Sequence, residues 1–286
     1  MFLQHKPFLG AQIVQLPFYF LLRDMYPDIR ITAVGTKGSG EFLNRYGMID
    51  ELFVVDDGDT GLNDVAKALK GRGFDTGFQQ RRHSFRFLVT CRRICKNLIG
   101  FKNEYFNLFQ KKSYVFDKKR YIAHNYLSLI DKKLEDYLAF RPFKRKEHIC
   151  IIPAGSNPIK KYPLENYIKV ADQLRKTYEI RFILGPDMLE ERAKLEGTGY
   201  RLDFNFGLND LEESVASSKL VITNDCGPGH FAHIHDTPRV SLFAMQKYTY
   251  EWFYPTANSE LIVSPEDGNI SAISVNNILD KAAKFL

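Results

Sequence analysis

Short apolar runs alternate with segments of helical spacing along nearly the whole chain, and this alternation restricts it to few architectures. In the second half, His148–Ile152 reads as a strand and is followed by Leu164, Tyr167, Val170, Ala171 and Leu174 at helical intervals. Further strands read at Ile180–Leu184, Leu220–Thr223 and Val240–Phe243. Asp210-x-x-Glu213 has the form of a capping box opening a helix over Leu211–Ser217. Gly227-Pro228-Gly229 leads into a helix through His235, and Val275, Ile278, Leu279 and Ala282 make a C-terminal amphipathic helix. The first half repeats the pattern. Phe2–Gln4 is a candidate strand closed by a turn at Gly10, and residues 12–25 read as a helix with Pro17 in its first turns. Strands at Ile29–Val34 and Glu51–Val55 alternate with helices at Glu41–Tyr46 and Leu62–Leu69. Strand–helix–strand alternation at this spacing predicts an α/β protein with parallel sheets and crossover helices. The pattern loosens between 103 and 147, apart from a helical segment near Ala123–Tyr137, so the chain divides into domains 1–145 and 146–286.

With 44% hydrophobic and 26% charged residues, the composition excludes a disordered, collagen-like or disulfide-stapled chain. The longest apolar stretches are too short to span a bilayer. The N-terminus carries polar and charged residues where a secretion signal would be apolar. Cys91, Cys95, Cys150 and Cys226 are sparse and unpatterned, which suits reduced thiols and a cytoplasmic protein. Charge is uneven. Residues 1–150 hold 26 Lys and Arg against 16 Asp and Glu, while residues 151–286 hold 14 against 18. Residues 81–120 alone hold 12 basic and two acidic residues, a field that attracts phosphates or an anionic surface. Phe85, Phe87, Leu88 and Leu98 interleave with these charges, as either the buried face of the same element or a peripheral membrane contact. No nucleic-acid motif accompanies them.

Two segments carry chemistry. In Val221-Ile-Thr-Asn-Asp225-Cys-Gly227-Pro228-Gly-His230 a strand runs into a glycine-rich turn and a helix, whose free N–H groups and dipole suit a pyrophosphate. Gly227 and Gly229 permit close backbone approach, and Pro228 suits the first helical turn. Asp225 repels phosphate and is better placed to accept hydrogen bonds from sugar hydroxyls; the alternative is an ordinary connection capped by Asp225. In Pro153-Ala-Gly155-Ser156-Asn157-Pro-Ile-Lys160-Lys161-Tyr162-Pro163 a strand ends in a small-residue loop. There Lys160 or Lys161 would stabilise charge on a leaving diphosphate, unless both are simply solvated. Both segments lie at strand C-termini, where open parallel sheets bind ligands.

These residues resemble glycosyltransferase family 9, the lipopolysaccharide heptosyltransferases. Lys160-Lys161-Tyr162-Pro163 is similar to the family's Lys-x-Trp-Pro loop. Asn224-Asp225-Cys226-Gly227-Pro228-Gly229-His230-Phe231-Ala232, with Pro238 after it, is similar to its Asp-Ser/Thr-Gly-Pro-x-His-x-Ala signature. Leu9-Gly10 through Leu16-Pro17, and Phe74-Asp75 through Ile99-Gly100-Phe101, follow in family order. The resemblance implies a GT-B architecture: two Rossmann-like domains with parallel sheets facing a central cleft, the C-terminal helix returning to the N-terminal domain. It implies an inverting, metal-independent heptosyl transfer from ADP-heptose to the phosphorylated Kdo/heptose inner core of lipopolysaccharide, at the cytoplasmic face of the inner membrane. No cofactor is implied beyond the nucleotide-sugar donor. Carried over by position, Lys160 meets the donor diphosphate beside Ser156 and Asn157. Asp225 holds sugar hydroxyls, Gly227, Pro228 and His230 line the diphosphate site, and Leu208 approaches the base. Glu190 or Asp187 holds the ribose. The acceptor falls to Gly10, Arg81, Arg82, His83 and Arg86.

One position departs from the pattern. Where the family's first loop reads Gly-Asp, with that Asp as presumed general base, this chain has Gly10-Ala11. An inverting transfer needs a base near the acceptor hydroxyl. His5, Gln12, Asp75 and His83 lie nearby in the implied layout, and His83 has the most suitable intrinsic pKa, although it also fits a phosphate contact. The alternatives are another nucleotide-sugar or acceptor glycan, or a catalytically impaired homologue that keeps the nucleotide-sugar site. His230, His233 and His235 do not share one helix face, so no metal site is expected.

Overall fold

The computed structural model describes residues 8–55, 61–80, 85–102, 110–155, 157–204 and 207–286, without the side chains of 85–87. Phe2–Gln4, His5, Arg81, Arg82, His83 and Ser156 lie outside the described residues, as does the Arg86 side chain. The chain divides into two compact units, Met1–Tyr137 and Leu138–Leu286.

In the first unit, α1 (Leu9–Ile13) and α2 (Leu16–Met25) are separate helices, where one helix was expected over 12–25. Pro17 has no N–H to offer the Ile13 carbonyl, so the helix must restart there, and Gly10 sits inside α1 rather than in a turn. Next come β1 (Thr32–Gly35), α3 (Lys37–Arg45), β2 (Glu51–Val54) and α4 (Leu62–Leu69). They are followed by β3 (Phe74–Gln79), α5 (Phe85–Ile94), β4 (Cys95–Phe101), β5 (Lys112–Tyr114) and α6 (Ile122–Ser128). Among the described residues these strands form two parallel sheets, β1-β2 and β3-β4-β5. α7 (Leu134–Phe140) straddles the division between the units.

Within the basic stretch, residues 85–101 are a helix followed by a strand. Leu88 and Leu98 are fully buried in a core with Val34, Val55, Leu62 and Leu69, which removes them as membrane contacts. Arg92 and Arg93 are the solvated face of α5, and Lys96 pairs with Asp75 at 3.1 Å.

The second unit is one six-stranded parallel sheet. In chain order it runs β6 (His148–Ile152), α8 (Leu164–Leu174), β7 (Glu179–Leu184), α9 (Leu189–Leu195), β8 (Arg201–Phe204), α10 (Leu208–Ala216), β9 (Leu220–Asn224), α11 (Gly229–Ile234), β10 (Arg239–Phe243), α12 (Thr249–Trp252), β11 (Ser259–Val263) and α13 (Val275–Ala282). The strands lie side by side as β11-β10-β9-β6-β7-β8. β6, β9 and β10 are buried at every position, which explains why they are mostly apolar rather than alternating. α8 lays Leu164, Tyr167, Val170 and Ala171 on this sheet. α13 packs on α8, β10 and β11 of its own unit. No helix among the described residues is long and apolar enough to cross a membrane.

Two helix starts differ from expectation. α10 begins one turn before Leu211, with Gly207 as its cap. Asp210 is thus the third helical residue, its carboxylate folded back over Gly207, and not the cap itself. α11 is six residues long with Pro228 as its cap, so it is too short to carry much of a macrodipole. Its first residue, Gly229, is needed for packing: a Cβ there would lie 2.9 Å from Thr223 Oγ1 and 3.1 Å from Thr223 Cγ2. Gly229→Ala should destabilise the second unit by about 1–3 kcal/mol in a denaturant titration, the usual cost of overpacking. Thr223→Ala in the same chain should return most of that loss; additive losses would mean that the contact is not the cause.

Candidate functional site

The sheet order places the site. From β6 the chain winds outward through β7 and β8, then returns to lay β9 on the other side of β6. Crossovers on either side of this pair point away from each other, so a crevice opens at the C-terminal ends of β6 and β9. Ile152 stands beside Thr223 in the register, and each strand then runs directly into one of the two chemical segments.

Asn224, the last residue of β9, holds the two loops together. Its Nδ2 donates to the Pro153 and Ala154 carbonyls at 3.3 and 3.1 Å. Its Oδ1 accepts from the Tyr167 hydroxyl at 2.6 Å. Tyr162, where the family has Trp, is buried, donates to the Ile273 carbonyl at 2.8 Å and stacks edge-on against Tyr167. Asn157 Oδ1 accepts from Ile159 N at 3.0 Å, shaping the short turn that presents Lys160. Lys160 Nζ then meets Asp225 Oδ2 at 2.5 Å, with the carboxylate side chain 7% exposed and the lysine 23%. The same ammonium lies 4.8 Å from the centre of the Tyr248 ring. Tyr248 belongs to the turn after β10, the strand next to β9. This third segment was not singled out in the sequence. Its signal was a Lys-Tyr pair, Lys247-Tyr248, shortly after a strand, which gains meaning only once β10 is known to lie beside the crevice.

The other expected site residues divide. Leu208 opens α10 where β8 ends, half exposed. Asp187 and Glu190 both follow β7 and are exposed; Asp187 lies over Gly185, whereas Glu190 is in the first turn of α9. Cys226 is buried, with its Sγ 3.2 Å from Thr223 Oγ1, and burial pushes its thiol up to about 11. All four cysteines are free and buried.

His230 is also interior, packed on Trp252 and His233 at 5.3 and 5.5 Å between ring centres. Burial drives its pKa down to about 4, so at neutral pH it brings no charge to a phosphate. His124, His148, His233 and His235 are lowered as well, His124 to about 4, each chiefly by burial. An unfolded chain protonates these imidazoles near pH 6.5, and the folded one resists. Stability is therefore full above about pH 6.5 and drains away as the pH falls toward 4. The unfolding midpoint should drop steadily across that window. A flat profile would mean that the imidazoles are charged in the folded state.

These features define a doubly wound α/β protein with a lysine–aspartate pair at its switch point. The family model for glycosyltransferase family 9 (heptosyltransferase) matches residues 65–281, and the chain belongs to that family. It is a glycosyltransferase. The fold is that of GT-B-type heptosyltransferases. It is similar to E. coli heptosyltransferase WaaC with ADP, at 14% identity and a TM-score of 0.72 over 100% of this chain and 99% of that one. The glycosyl transferase family 9 protein of Veillonella parvula is 22% identical, with a TM-score of 0.72 over 99% and 95%. E. coli ADP-heptose lps heptosyltransferase II is 16% identical, with a TM-score of 0.70 over 99% and 97%. No curated protein matches in sequence.

Proposed function

We propose that the chain transfers a heptose from ADP-heptose to the Kdo/heptose inner core of lipopolysaccharide, working as a peripheral protein at the cytoplasmic face of the inner membrane. The Lys160–Asp225 pair at the switch point carries this reading. Similar folds have been solved with ADP and with ADP-2-deoxy-2-fluoro heptose, which supports the donor class. On donor entry the Lys160 ammonium exchanges the Asp225 carboxylate for the diphosphate. Asp225, released, accepts hydrogen bonds from the sugar hydroxyls. As the glycosidic bond to the diphosphate breaks, negative charge grows on the leaving group, and a fixed ammonium stabilises it without reorganisation. In this reading Lys160 does the work a divalent ion does elsewhere, and the transfer is metal-independent. Leu208 at the end of β8 and a carboxylate after β7, Glu190 or Asp187, stand at neighbouring strand ends for the base and ribose.

A second reading has its own observation. Ala11 is buried within α1, and its carbonyl accepts from Gln15 Nε2 at 2.7 Å. Among the described residues of the first unit, the buried polar side chains include Gln12, Gln15, Gln79, Gln80 and His124 but no carboxylate. A buried alanine where the family's presumed base stands offers no proton acceptor, which favours a donor-binding homologue with impaired turnover. Calorimetric titration with ADP and ADP-heptose, on this chain and on Lys160→Ala, tests the donor site. Saturable binding lost in the variant supports it, and no binding by the parent sinks the ADP-heptose assignment. Turnover with Kdo–lipid A then separates the two readings. Activity that appears only in Ala11→Asp assigns impairment to the missing base.

A further inference from the structure

The Tyr248 ring gathers two ammonium groups. Lys160 Nζ lies 4.8 Å from its centre and Lys247 Nζ 5.3 Å. The two lysines come from different strands: one follows β6, the other β10. Lys160 is matched by Asp225, whereas Lys247 is exposed and makes no ion pair among the described residues. Lys247 thus brings an unmatched positive charge to the ring that borders the Lys160–Asp225 pair, and a bound anion would complement it.

The charge balance at the crevice points the same way. Lys160 and Asp225 together are neutral, so a diphosphate arriving there meets one cation that already serves one carboxylate. The six-residue α11 adds little positive dipole, and buried His230 adds no charge. Lys161, the other lysine of the loop, lays its stem against Gly155, while Lys247 is an exposed cation at the same ring that borders Lys160. The turn bearing it is closed on itself: Thr249 Oγ1 donates to the Gln246 carbonyl at 2.8 Å, and Gln246 Nε2 donates back to Thr249 Oγ1 at 3.0 Å.

We propose that Lys247 is a second diphosphate-binding residue, paired with Lys160 across Tyr248 to form a two-cation clamp on a nucleoside diphosphate. Tyr248 is the positioning residue that aligns both ammoniums. The proposal rests on the donor-site reading above but is separable from it.

The test is calorimetric titration of the full chain and its variants with ADP, UDP and AMP. In Lys247→Met, affinity for ADP and UDP should fall about fivefold to tenfold, while affinity for AMP moves less than twofold. Lys247→Arg should restore most of the loss. Tyr248→Phe should bind as the parent does, and Tyr248→Leu should lose affinity for diphosphates selectively. Lys247 is exposed, so its unfolding midpoint should match the parent's and rule out misfolding. If Lys247→Met binds ADP and UDP as tightly as the parent while Lys160→Met does not, the clamp is wrong and the donor site stands. Equal losses for AMP and ADP would place Lys247 elsewhere and overturn the clamp. If the parent binds none of the three nucleotides, the donor-site reading falls and the clamp falls with it.

Discussion

Lys160→Met should lower kcat/KM for sugar transfer by about 10²- to 10³-fold, the usual cost of removing a preorganised group that meets developing charge. Methionine keeps much of the stem's volume and removes the ammonium, so the loss reports charge and not packing. It should fall mainly on kcat, because the leaving diphosphate gains charge as the bond breaks. Lys160→Arg should lie between the two. It restores the charge, but its planar fork does not reproduce a compact ammonium held 2.5 Å from Asp225 and over the Tyr248 ring. Steady-state kinetics on the three proteins decides the matter. A methionine variant within threefold of the parent would remove Lys160 from the reacting centre.

The second large effect is on stability. Glu212 is 1% exposed and accepts from His235 Nε2 at 2.7 Å and from Arg141 Nη2 at 3.0 Å. Burial holds the His235 pKa down, with Glu212 opposing it, so the pair is a neutral imidazole donating to a buried carboxylate. Glu212→Ala leaves His235 and the half-buried Arg141 without that acceptor. Breaking a buried pair from one side costs about 3–5 kcal/mol. For a unit of this size the midpoint should fall on the order of 10 °C. Glu212→Gln keeps an acceptor oxygen and should lose much less. Alanine and glutamine variants of equal stability would show that the volume and acceptor oxygen kept by glutamine contribute nothing and that the loss is one of charge.

Much of the fold is legible in the residues. α4, α8 and α13 have the expected bounds because their apolar positions keep one period from end to end, and β6 because it is a short apolar run. Chain breaks are harder to read, since they depend on which backbone groups have partners. Pro17 splits a helix that apolar spacing alone would run through, and Gly207 takes the cap that Asp210 was expected to hold. At the candidate site, Lys160 and Asp225 stand out because charged residues are placed at strand ends. Tyr248 and Lys247 do not, since their place beside Lys160 follows from strand order. Asn224 reads as one motif residue among several, yet it ties both loops together through two hydrogen bonds and anchors them to α8 through a third.

The β6–β9 pairing also governs how the protein comes into being. β6 ends at Ile152, and β9 on its other side begins only at Leu220, after β7 and β8 have been made. Parallel neighbours so distant along the chain find each other late, because a long loop must close before any contact rewards it. During synthesis the loop bearing Lys160 therefore emerges well before the strand that carries Asp225. The crevice is among the last features to form, and an interrupted chain ending before β9 would display the lysine with nothing opposite it.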